Sequence, residues 1–162
     1  MKTTVIYTAA FFILCLTGMK CEKTNSEPEV ETLPAETQSG KGTFGCLVDG
    51  KVWLPKGKSF ISGISTIIQF NILSIGTIRG KESIGIAVRD LNQMGDNVLM
   101  GDNSASYSID GISFKATEGS VTITKYDKVN KIISGRFWFK GKNENGETVD
   151  IENGRFDVKY TD

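Results

Sequence analysis

The chain contains no histidine. That removes the commonest general base, the usual proton shuttle and the commonest metal ligand, so Ser-His-Asp and Cys-His schemes are closed to it. Neither sign of charge dominates, with 19 basic side chains against 19 acidic ones. Without a net field, no nucleic-acid role is expected. No window shows the helical apolar period of about 3.6 residues, so no phosphate-cradling glycine loop can lead into a helix. Proline is scarce at three residues, and cysteine is confined to Cys15, Cys21 and Cys46. What is plentiful is glycine, 18 residues set among short β-branched and aromatic runs.

The opening MKTTVIYTAAFFILCLTGMKCEK reads as an export signal. Lys2 supplies the positive start, and residues 5–16 form a run interrupted in polarity only by Thr8. About a dozen apolar residues are too few to span a bilayer, which needs roughly 20. The run is apolar all round and leads into a polar tract, which argues against a buried first helix. Cys21 closes it and is followed by a polar tether, an order that resembles a bacterial lipoprotein signal, in which that cysteine is lipidated. Lys20 stands where a small residue is usual. Cleavage near Thr17 or Gly18 to give a soluble periplasmic protein, and a retained membrane anchor, are therefore the alternatives. With Cys15 removed and Cys21 lipidated, Cys46 has no disulfide partner.

Residues 22–42 read EKTNSEPEVETLPAETQSGKG, with five glutamates and only Val30 and Leu33 as large apolar side chains. Such a segment buries too little to offset its ordering entropy, so it is expected to be a disordered spacer. Its LPAET resembles a sortase signal only superficially, because no hydrophobic tail follows. From Thr43 onward the chain reads as strands. Ile84-Gly85-Ile86-Ala87-Val88 and Ser120-Val121-Thr122-Ile123-Thr124 alternate with period two, and the run from Thr66 through Phe70 to Leu73 is β-rich. Asp49-Gly50, Asp110-Gly111 and Asn145-Gly146 mark turns. The expected organisation is a signal peptide at 1–20, a flexible tether at 21–42 and one all-β domain at 43–162, an antiparallel sandwich or barrel.

In TFGCLVDGKVWLP, a type I′ turn at Asp49-Gly50 sets Val48 opposite Lys51, Leu47 opposite Val52 and Cys46 opposite Trp53. Cys46 then points into a cluster with Trp53 and reads as inert core, since no basic niche can activate it. Both faces of this hairpin are largely apolar, so each needs cover, by a layer or by a loop. Gly45, facing Leu54, leaves room for close approach. Near the C-terminus Gly-Arg-Phe occurs twice, at residues 135–137 and 154–156. Ile133, Phe137 and Phe139 share one face, while Arg136, Trp138 and Lys140 point the other way. Val149 and Ile151 fall out of phase with Phe156, Val158 and Tyr160, which requires a bulge or turn at Asn153-Gly154.

LPAETQSGKGTFGCLVDGKVWLPKG, with YDKVNKIISGRFWF and VDIENGRFDVKY late in the chain, resembles a family of uncharacterised lipoproteins of Bacteroidetes-type bacteria that carry a domain of unknown function. The resemblance covers the start and the end of the domain. It implies a β-rich domain at the cell envelope and brings no catalytic residues with it.

Gly95-Asp96-Asn97 and Gly101-Asp102-Asn103, with Asp90 nearby, could give oxygens to calcium, but they lack EF-hand spacing and read better as turns. Asp150, Glu152 and Asp157 are the carboxylates closest to a glycosidase pair, and they are expected on a solvated strand face. Trp138 stands between Phe137 and Phe139 on the Arg136 and Lys140 side; exposed, it could stack on a sugar or a peptide. A second layer covering it is the stronger expectation, because large aromatics are mostly buried. The reading is a non-catalytic envelope lipoprotein without cofactor or metal. It is held through a lipid on Cys21, at the outer membrane rather than the inner, and acts as a binding or structural accessory for a glycan or an envelope protein. A secreted carboxylate-type enzyme acting on glycans, or a soluble periplasmic sugar-binding module, is the alternative.

Overall fold

The computed structural model describes residues 31–57, 63–91, 94–99 and 103–162. The export signal, Cys15, the lipidation candidate Cys21 and residues 22–30 of the expected tether lie outside the described residues. Among the described residues ten strands are formed: β1 (Thr43–Val48), β2 (Lys51–Trp53), β3 (Ile64–Gln69), β4 (Ile72–Arg79), β5 (Glu82–Val88), β6 (Gly95–Val98), β7 (Ser104–Ile109), β8 (Ile112–Asp127), β9 (Ile132–Lys142) and β10 (Thr148–Lys159). They make one sheet in the order β2-β1-β10-β9-β8-β7-β5-β4-β3, with β6 also paired to β8. The named strands pair antiparallel throughout. The sheet curls into a half-barrel, so the barrel-like form of the expected all-β fold is the one adopted.

The curl follows from twist and from bulges, since an extra residue on one strand bends it and increases its local twist. Register shifts fall between Gly45 and Leu47 in β1, between Ile151 and Gly154 in β10, and at two points where β8 pairs β9. The shift in β10 is the one that the phase change at Asn153-Gly154 requires, and Asn153 takes a left-handed φ of 51°. Curling also brings the far ends of the sheet toward the rest of the fold. Thr161, just past β10, pairs with the β3 edge through Ile68 N–H to Thr161 O at 2.8 Å and Thr161 N–H to Thr66 O at 3.1 Å. Backbone groups that an open edge would leave unpaired are satisfied there.

Inside the curl the period-two pattern becomes the core. Ile75, Ile86, Val121, Ile123, Phe139 and Ile151 are all buried. The β1–β2 hairpin turns at Asp49 (φ 48°) and Gly50 (φ 77°) with the register that the turn type demands. Cys46 is fully buried, and Trp53 meets Phe44 edge-on at 6.2 Å. Burial pushes the Cys46 thiol up to about 12. A thiol so placed has almost no thiolate at neutral pH, in line with a core role.

Two features depart from the sequence reading. The run from Thr66 to Leu73 is not one strand: β3 turns into β4 at Phe70 and Asn71, with φ of 52° and 61°. A phenylalanine in that region is unusual, and its side chain is 88% exposed. The ordered unit also starts upstream of the expected Thr43, because residues 31–162 cluster as one compact unit.

Candidate functional site

The two Gly-Arg-Phe copies pair with each other. In the β9–β10 ladder Gly135 lies opposite Phe156, Arg136 opposite Arg155, and Phe137 opposite Gly154. Each glycine makes room for the other copy's ring: a Cβ on Gly154 would lie 2.6 Å from the Phe137 ring, and one on Gly135 would lie 2.6 Å from Phe156 and 2.4 Å from the Thr122 carbonyl oxygen. Both rings therefore pack inward, with centroids 6.5 Å apart. Alternation then sends both arginines outward, side by side on the outer face of the sheet.

That outer face is partly covered by the segment before β1. Asp157, on the outward side of β10, is only 1% exposed. Its carboxylate accepts from Thr37 Oγ1 at 2.6 Å, Gly40 N–H at 2.7 Å, Ser134 Oγ at 2.8 Å, Ser39 N–H at 3.1 Å and Lys41 N–H at 3.2 Å. Burial alone would push this carboxyl up. The donors from Thr37, Gly40, Ser134 and Lys41 outweigh it and hold the group well below the usual carboxylate range. Asp157 is thus not the solvated charge that its strand position suggested, and residues 37–41 are not free spacer. The same strap continues over β1, where Pro34 lies against Gly45 and accepts from Arg155 Nη1 at 3.3 Å. A Cβ on Gly45 would lie 2.7 Å from Pro34 and 2.8 Å from Leu54, so the close approach expected at this glycine is made from two sides. On the second apolar face of the hairpin the strap meets Gly45 beside Leu54, and Leu47, Val52 and Leu54 are half-buried.

Between the strap and the exposed part of the sheet runs a groove with two lobes. One, of about 390 Å³, is lined by Trp138, Arg136, Arg155, Thr122, Glu152 and Asn153. The other, of about 260 Å³, continues under the strap past Glu36, Arg136 and Arg155 to Thr43 and Thr124. Trp138 is 46% exposed, which corrects the expectation that a second layer covers it. The cover stops short of it: the strap bonds Asp157, Thr124, Lys125 and Arg155, and Trp138 pairs across to β8 with Ser120, a side chain too small to shield an indole. Sequence periodicity placed Trp138 on this face; the extent of the strap decided that it meets solvent.

The other sequence candidates have separate occupations. Asp150 faces Lys140 across the ladder, and Asp157 is held under the strap; only Glu152, in the bulge, reaches the groove. Asp96 accepts from Thr122, and Asn97 donates to the carbonyls of Gly95 and Val121, while Gly101 and Asp102 lie outside the described residues. Among the described residues no three His, Cys, Asp or Glu side chains converge as a metal site. A second hollow, of about 610 Å³, opens beside Lys56, Arg79, Lys81, Glu82 and Asp110. Its chemistry is largely internal. Arg79 pairs with Glu31 at 3.0 Å and Lys81 with Asp110 at 2.7 Å, and Glu82 accepts from the Trp53 indole. Tyr107 is buried and also bonds Glu82; burial and that neighbouring carboxylate push its hydroxyl up to about 12. Neither Glu82 nor Tyr107 stood out in the sequence, because both sit in ordinary strand patterns.

No helix of the described residues is long and apolar enough to cross a membrane. The chain belongs to the family defined by DUF6252, a domain of unknown function, which it matches over residues 42–158. That match takes in the whole β1–β10 pairing and Asp157, and begins just after the strap. None of the curated proteins and none of the solved structures matches the chain.

Proposed function

We propose that this DUF6252 chain is a non-catalytic binding module of the cell envelope, lipid-anchored at Cys21 on the outer membrane, whose outer groove takes a sugar ring of a glycan against Trp138. The observation that carries the reading is the half-exposed indole of Trp138 in a groove rimmed by groups that hydrogen-bond in a plane, namely Arg136, Asn153 and Glu152. A flat apolar platform suits the C–H face of a pyranose, and in-plane donors and acceptors suit its hydroxyls. Support for the anchor comes from the sequence, in the order of a short apolar run, Cys21 and a polar tract.

A carboxylate-type glycan hydrolase fits less well. Such enzymes set two carboxyl groups across the scissile bond, roughly 5–9.5 Å apart. Here Asp157 is enclosed by five donors, and of the two carboxylates that line the groove around Trp138, Glu152 from the sheet and Glu36 from the strap, Glu36 is paired with Arg136 at 3.9 Å.

The two tryptophans make a direct assay. Trp53 is buried and Trp138 is exposed, so saccharide contact should alter the emission of Trp138 alone. Titration of the full chain with panels of envelope and plant oligosaccharides should give a saturable change in emission, and calorimetric titration should show binding that Trp138→Ala abolishes while its melting midpoint stays nearly constant. A panel that leaves the emission unchanged, or a Trp138→Ala variant that binds as tightly as wild type, refutes the reading.

A further inference from the structure

Two arginines stand side by side in this groove. Register places Arg136 directly across from Arg155 on the outer face, and like charges so placed destabilise a sheet unless something neutral or anionic lies between them. Their neighbours do little to offset this. Glu36 approaches Arg136 Nε at 3.9 Å, beyond hydrogen-bond reach. Arg155 uses Nε on the Asn153 carbonyl and Nη1 on the Pro34 carbonyl, both at 3.3 Å and both uncharged. Lys140, outside the lining of the groove, has carboxylates of its own on the outer face. Glu118 bonds its ammonium at 2.9 Å, and the charges of Asp150 and Glu152 act on it as well. Among the residues lining the 260 Å³ lobe, with Thr43 and Thr124, two guanidinium groups therefore stand against the one carboxylate of Glu36, while Asp157 is enclosed beneath the strap by its own donors.

We propose that this lobe is an anion subsite, and that the glycan bound at Trp138 is acidic, its carboxylate or sulfate ester received between Arg136 and Arg155. The proposal rests on the reading of the groove as a glycan site and narrows it to one ligand class. Guanidinium groups present planar forks that match both anions, and the contact that Arg136 would give up on binding one is the exposed 3.9 Å ion pair with Glu36. The spacing also fits. Trp138 and Arg136 are two residues apart on one strand face, about 6.8 Å along the strand, so a ring on the indole and an anionic group on that ring can be met at once.

The test uses the full chain in mild detergent and three saccharide probes: oligogalacturonate, the same oligomer with its carboxylates methyl-esterified, and a sulfated galactan oligosaccharide. Inorganic sulfate alone is the fourth probe. Wild type should bind at least one acidic probe about tenfold or more tightly than the ester, and added salt should erode the difference. Which acidic probe is preferred tells carboxylate from sulfate ester. Arg136→Gln, a change at an exposed side chain, should reduce the acid-over-ester preference to near unity. Equal binding of acid and ester, both dependent on Trp138, overturns the anion subsite and keeps the glycan reading. If every saccharide fails while sulfate raises the melting midpoint of wild type but not of Arg136→Gln, the glycan reading falls and the anion subsite is supported. Failure of sulfate as well overturns both.

Discussion

Asp157→Asn tests how the strap is held, because the substitution preserves shape and removes charge. In the native carboxylate, Oδ2 accepts from Thr37, Ser39 and Lys41, and Oδ1 accepts from Gly40 and Ser134. An amide keeps one acceptor oxygen. Whichever way it is turned, two or three of these donors then face an NH2 group. A buried donor without an acceptor costs about 1–3 kcal/mol, so the direct loss is large. The strap can lift and let water reach some donors, which limits the cost to about 3–5 kcal/mol. The pH dependence follows from the direction of the shift. A carboxyl held below its unfolded value stabilises fully above about pH 3.9, and that contribution is lost as the pH falls through the lower folded value. Urea unfolding at pH 7 should show the full gap between wild type and Asp157→Asn. Below pH 3.9 the gap should narrow by up to ~1.4 kcal/mol per pH unit. Hydrogen exchange supplies the local readout, since the amides of Ser39, Gly40 and Lys41 should lose protection in the variant while those of β4 and β5 keep theirs. A gap below about 1 kcal/mol at pH 7, with those three amides exchanging alike in both proteins, would refute the account of Asp157 as the strap's anchor.

Within the hairpin core, Trp53→Ala should cost about 3–5 kcal/mol and Cys46→Ala only about 1 kcal/mol, measured by denaturant unfolding. The native Cys46 thiol should react with a thiol reagent only as fast as the domain opens; free-thiol rates would reopen a chemical role for it. Gly154→Ala drives a methyl group into the Phe137 ring and should cost about 2–3 kcal/mol, and in a double-mutant cycle Phe137→Leu should recover part of the loss. Simple additivity of the two changes would show that the glycine is not there to admit the ring. Cys21→Ser should move the protein from the membrane to the soluble envelope fraction, and an unlipidated wild-type N-terminus in intact-mass measurement would contradict the proposed anchor.

Much of the fold was legible locally. A type I′ turn is a property of two adjacent residues, so Asp49-Gly50 carried the register of its hairpin and, through it, the contact of Cys46 with Trp53. The bulge at Asn153-Gly154 was visible because apolar alternation changes phase there, and phase is also local. The turn at Phe70-Asn71 was hidden for the opposite reason: an aromatic residue in a β-branched run gives no turn signal, and only the pairing of β3 with β4 reveals it. The candidate site lay further from view. That Trp138 and Arg136 share an outward face follows from alternation along β9, but that Arg136 stands beside Arg155, and that each Gly-Arg-Phe glycine admits the other copy's ring, depends on which strands pair and in what register. The strap is the clearest case. Residues 37–41 are polar and poor in apolar side chains, so by composition they could not order themselves. They are ordered because a carboxylate 116 to 120 residues further along gathers their donors. Sequence alone determined the glycine-bearing turns such as Asp49-Gly50, the outward face of β9 and the missing histidine chemistry, because each is set by neighbouring residues or by composition. Tertiary structure decided what covers Asp157 and what leaves Trp138 bare, because burial depends on distant chain brought near by the curl of the sheet.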